Sequence, residues 1–431
     1  MTETHASARA GIIDELQWRG AIAQSTDLDE LRTATAKGPI TVYCGFDPTA
    51  PSLHFGNLVQ LVVHRRFQQA GHKVLCLVGG STGQIGDPKP TSERLLKTRE
   101  QTEHNVARIK ELVAPFLDFD GSTGVDHPAV LVDNLDWFGP LSALDFLRDV
   151  GKHFRVNQMV KKEAIARRLE SQEGISYTEF SYQLLQAYDY LELYRSFGCV
   201  LQTGGSDQWG NITAGVDLVH RVEGASVHAL STPLLTDAHG TKYGKSEGNA
   251  IWLSADMTSP YAFYQYFLNV EDATVGTLLR FFTDRSHEEI EELDRLTLEE
   301  PYRRAAQKAL AADVVARVHG GAARESVIAA SEALFGRGEV RGLDEATLRD
   351  ATAELPGGEV AAGATVTDAL VASGLVDSRN AARRAVVDGA VSVNGTKVTD
   401  PELALAEDDF LHGVAAIVRR GKKNLAAVRR R

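Results

Sequence analysis

The chain is poor in sulfur, with three cysteines and three methionines among 431 residues. Cys44, Cys76 and Cys199 stand far apart in sequence, each in or beside an apolar run, which suggests neither a disulfide framework nor a Cys-x-x-Cys metal knuckle. Buried thiols in a reducing compartment are expected instead. No stretch approaches the roughly 18 apolar residues of a membrane span, and the N-terminus has no apolar signal core. A cytoplasmic chain with no membrane partner is therefore expected. The scattered histidines, His64 and His72 among them, lack metal-ligand spacing and read as structural. Neither G-x-x-x-x-G-K-[ST] nor G-x-G-x-x-G occurs, which excludes the usual phosphate loop and dinucleotide fingerprint. Internal repeats and low-complexity tracts are missing too.

What is present suffices for two or three domains: 431 residues, 43% of them hydrophobic. A net charge of −12 spread evenly would repel a polyanion, so a nucleic-acid partner needs a local basic surface. Residues 365–431 supply one, with 11 Lys+Arg against 8 Asp+Glu. From Phe410 onward there are seven basic residues and no acid.

Apolar runs at 40–44, 74–78, 129–132 and 199–202 alternate with helical patterns such as 58–69 and 99–116, the signature of βαβ units and a parallel sheet. Ligands bind at the carboxyl ends of such strands. Each run here is followed by a polar, glycine-bearing or acidic segment: GFDPT, GGSTGQIGD, DNLDWFG and TGGSDQWGN. An α/β domain over 1–235 is expected, then a loop and connection at 236–260 and an all-α domain over 261–340. A linker at 341–362 leads to a small α+β module over 363–431, with helical patterns at 366–373 and 378–388 and a hairpin in AVSVNGTKV.

Two segments point to phosphate. In LHFGNL, Gly56 and Asn57 open a helical pattern, where backbone N–H groups and the helix dipole favour an anion, and His54 stands two residues earlier as a donor to developing charge. Alone, the tetrapeptide fits a capped turn equally well. In TKYGKSEGN, Lys242 and Lys245 flank a glycine in a loop that could close over a triphosphate. On the pattern 182, 186, 189, a tyrosine, a glutamine and an aspartate share one helix face, a composition foreign to a core stripe.

HFGN followed by KYGKS resembles the HIGH and KMSKS signatures of class I aminoacyl-tRNA synthetases. With YCGFDPTAPSLHFGNL, FSYQLLQAYDY and LQTGGSDQWGNI, essentially the whole chain resembles the bacterial-type tyrosyl-tRNA synthetases. Asn57 replaces the second histidine of the signature, leaving an amide's hydrogen bonding there. The resemblance implies a Rossmann-like catalytic domain, activation of L-tyrosine by ATP to tyrosyl-adenylate and pyrophosphate, and transfer of tyrosyl to the terminal ribose of a tRNA. It implies Tyr43 and Asp189 on the substrate's phenol, and Asp87, Tyr182 and Gln186 on its ammonium. Gln202 and Gln208 would serve tyrosine and ribose. Gly45, Asp47, Gly56, Asn57, Gly205 and Asp207 would line the ATP site. Thr49, His54, Lys242 and Lys245 would meet the reacting phosphates, with Lys89 and Arg94 as further basic groups for pyrophosphate or the RNA acceptor end. No enzyme nucleophile is needed, because such transfer is positioning plus charge stabilisation. Mg²⁺ is expected with ATP, without a dedicated protein site. The third module resembles a small RNA-binding domain, implying tRNA contacts from Arg379, Arg383 and Arg384 on a helix, Lys397 on the hairpin, and Arg419, Arg420, Lys422 and Lys423 in a basic tail. A homodimer is implied as well. The competing readings are a tryptophan synthetase and an RNA-binding protein without enzyme activity, which amino-acid-dependent ATP–pyrophosphate exchange separates.

Overall fold

Two apolar runs without polar alternation, TVYCGF and KVLCLV, suit parallel strands covered on both faces. They pair side by side in a six-stranded sheet in a computed structural model of the chain. The structure describes all residues except 1, 2, 90, 91, 173, 237–242, 244, 247, 248, 336, 337, 422 and 423, and only the backbone of 3–6, 163, 164, 245, 246 and 249. The strands are β1 (Gln24–Ser25), β2 (Thr41–Phe46), β3 (Lys73–Val78), β4 (Val130–Asp133), β5 (Cys199–Gly205) and β6 (His228–Thr232). Their order is β1-β6-β5-β2-β3-β4. Every pairing is parallel except β1 with β6.

This order fixes where a ligand can sit. From β2 the chain moves outward through β3 and β4, then returns to the other side of β2 as β5. The topological switch point lies between β2 and β5, and in open α/β sheets ligands bind beyond the carboxyl ends of the strands at such a point. Tyr43 is in register with Gln202 across that junction.

Three helices frame it. Phe55–Gln69 starts directly after the β2 turn and buries Phe55, Leu58, Leu61 and Val62. Tyr177–Phe197 is capped by the Ser176 hydroxyl, which accepts from Glu179 N–H, and ends at Gly198 in the left-handed region (φ 60°). It packs against Trp209–Glu223. The three cysteines are buried free thiols. The sheet and these helices belong to a unit comprising Met1–Met257 and Glu271–Asp294, while Thr258–Val270 and Arg295–Arg431 form a second. The two-residue strands β7 (Lys245–Ser246) and β8 (Asn249–Ala250) pair in the first unit. Among the described residues no helix is long and apolar enough to cross a membrane.

In the second unit, the helices Pro260–Leu268, Ala305–His319, Gly321–Phe335 and Glu345–Ala353 precede a five-stranded sheet of β9 (Gly357–Val360), β10 (Val391–Val393), β11 (Thr396–Val398), β12 (Ala416–Arg420) and β13 (Asn424–Arg430). Its order is β11-β10-β12-β13-β9, with β9 parallel to β13. Asn394 (φ 47°) and Gly395 (φ 83°) make the expected hairpin turn.

Two readings are corrected here. The stretch 341–362, expected to be a linker, holds a helix and β9. Gly357 and Gly358 serve close packing, since a Cβ would lie 2.6 Å from the Ala427 carbonyl oxygen at the first and 2.1 Å from the Ala372 carbonyl oxygen at the second. Arg419 and Arg420 belong to no tail, because β12 and β13 bury Ala416, Ile417 and Val418 and Leu425 to Val428 in the module's sheet.

Candidate active site

His54 is the N-cap of the helix Phe55–Gln69. Its Nδ1 accepts from Gly56 N–H at 3.0 Å, and Asn57 Oδ1 accepts from His54 N–H at 3.1 Å, a reciprocal capping box. With Nδ1 an acceptor, a neutral imidazole carries its proton on Nε2. The glycine is required because a Cβ at 56 would stand 2.9 Å from His54 Cε1. Phe55 N–H is taken by the Ile251 carbonyl and Asn57 N–H by the His54 carbonyl. The first three N–H groups of this helix are therefore satisfied within the protein, which differs from the expectation that Gly56 and Asn57 offer theirs to an anion.

The two signature segments come together. His54 bridges Trp252 antiparallel, Leu253 N–H donates to the Leu53 carbonyl at 2.9 Å, and the Tyr243 ring meets Phe55 edge to face at 6.3 Å. Tyr243 Oη lies 2.8 Å from Thr274 Oγ1. Lys242 lies outside the described residues, and Lys245 belongs to β7.

At the end of β2, Asp47 accepts from Thr82 Oγ1 and from Tyr182 Oη, each at 2.7 Å. Burial raises its pKa, and the two donors oppose the rise. The glycines of GGSTG permit this approach: a Cβ on Gly79 would sit 2.4 Å from Asp47 Oδ1, and one on Gly80 2.3 Å from Asp133 Oδ1. Gly45 and Thr49 are exposed beside Asp47, whose carbonyl accepts from Thr49 N–H.

Asp87 is held by amides. Its carboxylate accepts from Gln208 Nε2 and Asn211 Nδ2, each at 3.0 Å, and Asn211 Oδ1 accepts from Lys162 Nζ at 2.5 Å. Burial lowers the Lys162 pKa to about 7, opposed by the charge of Asp87. On the segment after β5, a Cβ on Gly205 would meet Asp207 Oδ1 at 2.6 Å. Asp207 itself is exposed.

Asp189 is 2% exposed and accepts from Trp137 Nε1 at 2.9 Å and Asn134 Nδ2 at 3.3 Å. Burial pushes its carboxyl well above the usual range, against those two donors. Tyr43, 1% exposed, has its phenol raised by burial first and by the charge of Asp189 next. The charge of Asp189 thus acts on the Tyr43 phenol.

Tyr43 Oη, Gln186 Oε1 and Gln202 Oε1 are buried without a hydrogen-bond partner. Buried polar groups are normally paired, so three orphans on β2, β5 and the helix between them mark a place that a polar ligand completes.

Sequence reasoning missed the groups that hold these side chains: Thr82, Asn134, Trp137, Asn211 and Lys162. The first four lie in quoted strand-end segments, which was the available signal. Lys162 carried none.

In the second unit, Arg379 pairs with Asp368 and Arg383 with Glu402, each at 2.9 Å. Arg420 Nη1 donates to the Leu375 carbonyl, Arg419 to that of Leu334, and Arg384 Nε to that of Asn380. Lys397 is exposed on β11. Lys422 and Lys423 lie outside the described residues.

A nucleotide-type switch point, a capped His-x-Gly-Asn helix start and a second signature strand beside it are features of one class. Residues 35–336 match the family described as tRNA synthetases class I (W and Y), and the chain belongs to that family. Residues 347–428 match a second, described as the tyrosine–tRNA ligase SYY-like C-terminal domain. The chain is 59% identical to a tyrosine–tRNA ligase of Streptomyces coelicolor over 97% of its own length and 98% of that protein. It is 52% identical to one from Thermobifida fusca, over 97% and 99%. Among solved structures, a C-terminally truncated Aspergillus nidulans mitochondrial tyrosyl-tRNA synthetase aligns with a TM-score of 0.67 at 30% identity, covering 75% of this chain and 96% of that one. A Plasmodium falciparum tryptophanyl-tRNA synthetase shares the fold, with a TM-score of 0.55 at 13% identity over 76% of this chain and 90% of that one.

Proposed function

We propose that the chain is a tyrosine–tRNA ligase. The carboxylate of L-tyrosine attacks the α-phosphorus of ATP to give tyrosyl-adenylate and pyrophosphate. A ribose hydroxyl at the tRNA terminus then takes the tyrosyl group and releases AMP. The observation that carries this reading is the buried, unpartnered Tyr43 hydroxyl beside the Asp189 carboxylate at the switch point. A phenol can donate to Asp189 and accept from Tyr43, whereas phenylalanine would leave both buried groups unpaired.

The tyrosine ammonium meets Asp87, Tyr182 and Gln186, where one carboxylate pre-oriented by two amides supplies the charge. Gln202 and Gln208 serve tyrosine and ribose, and Gly45, Asp47, Gly205 and Asp207 line the nucleotide. His54 Nε2–H, Thr49, Lys242 and Lys245 stabilise charge on the phosphates as the α-phosphorus is attacked. Mg²⁺ accompanies ATP, held by phosphate oxygens.

The second unit's basic residues bind tRNA, and two copies associate through the first unit. Exposed Leu144, Leu147, Val156, Leu169 and Tyr177 between β4 and β5 support that association. The protein acts in the cytoplasm. The test is ATP–pyrophosphate exchange with tyrosine, phenylalanine and tryptophan in turn. Exchange driven by tyrosine alone is expected, while exchange driven best by tryptophan, or by none, would overturn the reading.

A further inference from the structure

Among the described residues the largest fully buried side chain is a charged one, Arg168, 1% exposed on the helix Glu163–Glu170. Its Nη1 lies 2.8 Å from Glu179 Oε2, itself 1% exposed. A buried ion pair contributes little net stability, because desolvating two charges roughly cancels their attraction. What this pair does besides is therefore the question. Arg168 Nη1 also donates to the carbonyls of Ser92 at 2.8 Å and Lys89 at 3.2 Å, while Nε donates to that of Gly174 at 2.9 Å. Nη2 lies 3.6 Å from the Glu93 carboxylate. The second oxygen of Glu179 accepts Arg94 N–H at 2.6 Å, and Arg94 Nε reaches the Asp87 carbonyl at 2.8 Å.

Every one of these bonds ends on the segment that begins at Asp87 and carries Lys89 and Arg94, on the turn that leads into the helix Tyr177–Phe197, or on Glu179 in that helix's first turn. That helix also bears Tyr182, Gln186 and Asp189. Beyond Arg94 the chain has no such anchor: Leu95 is 95% exposed and Leu96 65%. A planar fork suits this task, since guanidinium presents several donors in fixed directions where an ammonium offers a point charge.

We propose that Arg168 and Glu179 are positioning residues for the activation step, clamping Lys89 and the stretch Ser92–Arg94 against the tyrosine-recognition helix so that Lys89 and Arg94 serve the phosphates of ATP. This rests on the ligase reading. The Asp87 carboxylate is held separately by Gln208 and Asn211, so loosening the clamp should affect the phosphate side more than tyrosine binding.

The experiment uses the full-length protein and the variants Glu179→Gln, Arg168→Lys and Arg168→Met. Tyrosine-dependent exchange is measured with separate KM values for tyrosine and ATP, alongside thermal unfolding and trypsin cleavage of the Arg94–Leu95 bond. In Glu179→Gln and Arg168→Lys, kcat should fall about tenfold or more, with the KM for tyrosine within about threefold of wild type. Cleavage after Arg94 should accelerate at least about tenfold at a temperature where the variants stay folded. Arg168→Lys should retain more thermal stability than Arg168→Met yet recover little of the rate. A rate that tracks unfolding temperature across the set, or unchanged rate and cleavage in Glu179→Gln, would overturn the proposal. Absence of tyrosine-dependent exchange in the wild type would overturn the ligase reading instead, and cleavage alone would then decide whether the clamp exists.

Discussion

Asp189→Asn separates a carboxylate kept for a ligand from one kept for the fold. In the folded chain this carboxylate receives two N–H donors, from Trp137 and Asn134. An amide has one oxygen, so its NH₂ must face one of those donors. A buried hydrogen bond lost with its donor stranded costs about 1–3 kcal/mol. Burial also raises the pKa of Asp189, which means the fold disfavours its charge. Neutralising it lifts that penalty, which opposes the cost of the stranded donor, so the net loss of stability should stay below about 3 kcal/mol. No such offset applies to catalysis. A charge-assisted bond from the substrate phenol is worth about 1.5–3 kcal/mol, and each 1.4 kcal/mol is a factor of ten. Asp189→Asn should therefore lower kcat/KM for tyrosine in ATP–pyrophosphate exchange by about 10- to 100-fold, and the preference for tyrosine over phenylalanine by a similar factor. Urea unfolding supplies the stability control. If kcat/KM stays within about threefold of wild type, or falls only as far as the folded fraction does, the assignment of Asp189 to the phenol is wrong.

His54→Asn keeps a good N-cap but removes the imidazole, so stability should hold within about 0.5 kcal/mol while kcat falls about 10²-fold; His54→Ala should add a loss of about 1 kcal/mol from the missing cap, and equal kcat values for wild type and Asn would refute the role. His64 and His72 are held by burial at a pKa of about 4 against an ordinary 6.5. Their neutral forms are favoured in the fold, so stability is full above pH 6.5 and lost as pH falls toward 4, by about 1.4 kcal/mol per unit for each. Urea unfolding between pH 7 and 5 reads this, and a His64→Gln variant with an unchanged slope would count against it. Binding of tRNA should weaken linearly in log salt, and Arg384→Ala with Lys397→Ala should reduce the slope by about one per phosphate contact removed; a filter-binding series with an unaltered slope would exclude both residues from the interface.

How much could be read in advance depended on whether the signal was local. β2 and β3 were legible because a strand covered on both faces is an unbroken apolar run. β6 was not, since His228, Ser231 and Thr232 interrupt it although all five positions are buried. Tyr182, Gln186 and Asp189 were legible because helical spacing puts polar groups on an inward face. Their partners were not. Asn134 stands 55 residues from Asp189 and Tyr182 135 from Asp47, and nothing in a local pattern records such a pairing. The same limit governs the basic module, where the arginines could be counted but not the acids that neutralise them. Arg379 and Arg383 are spoken for by Asp368 and Glu402, which leaves Arg384 and Lys397 as the better candidates for phosphate.

The start of the helix Phe55–Gln69 shows how one residue can answer two demands. A helix N-terminus attracts anions because its N–H groups lack partners. Here the first three are already accepted, by Ile251, by His54 Nδ1 and by the His54 carbonyl. The cap sets the position of the remaining ring proton on Nε2, because Nδ1 is engaged; the proposed phosphate role of His54 would draw on that proton and on the helix dipole. The capping bond fixes tautomer and ring orientation together, so a structural contact pre-organises the donor. In the proposed reaction, a histidine that merely faced solvent would have to give up rotamer freedom in the transition state. This one has already done so on folding, and Gly56 is the residue that lets it, since any larger side chain would push the ring away from the helix end.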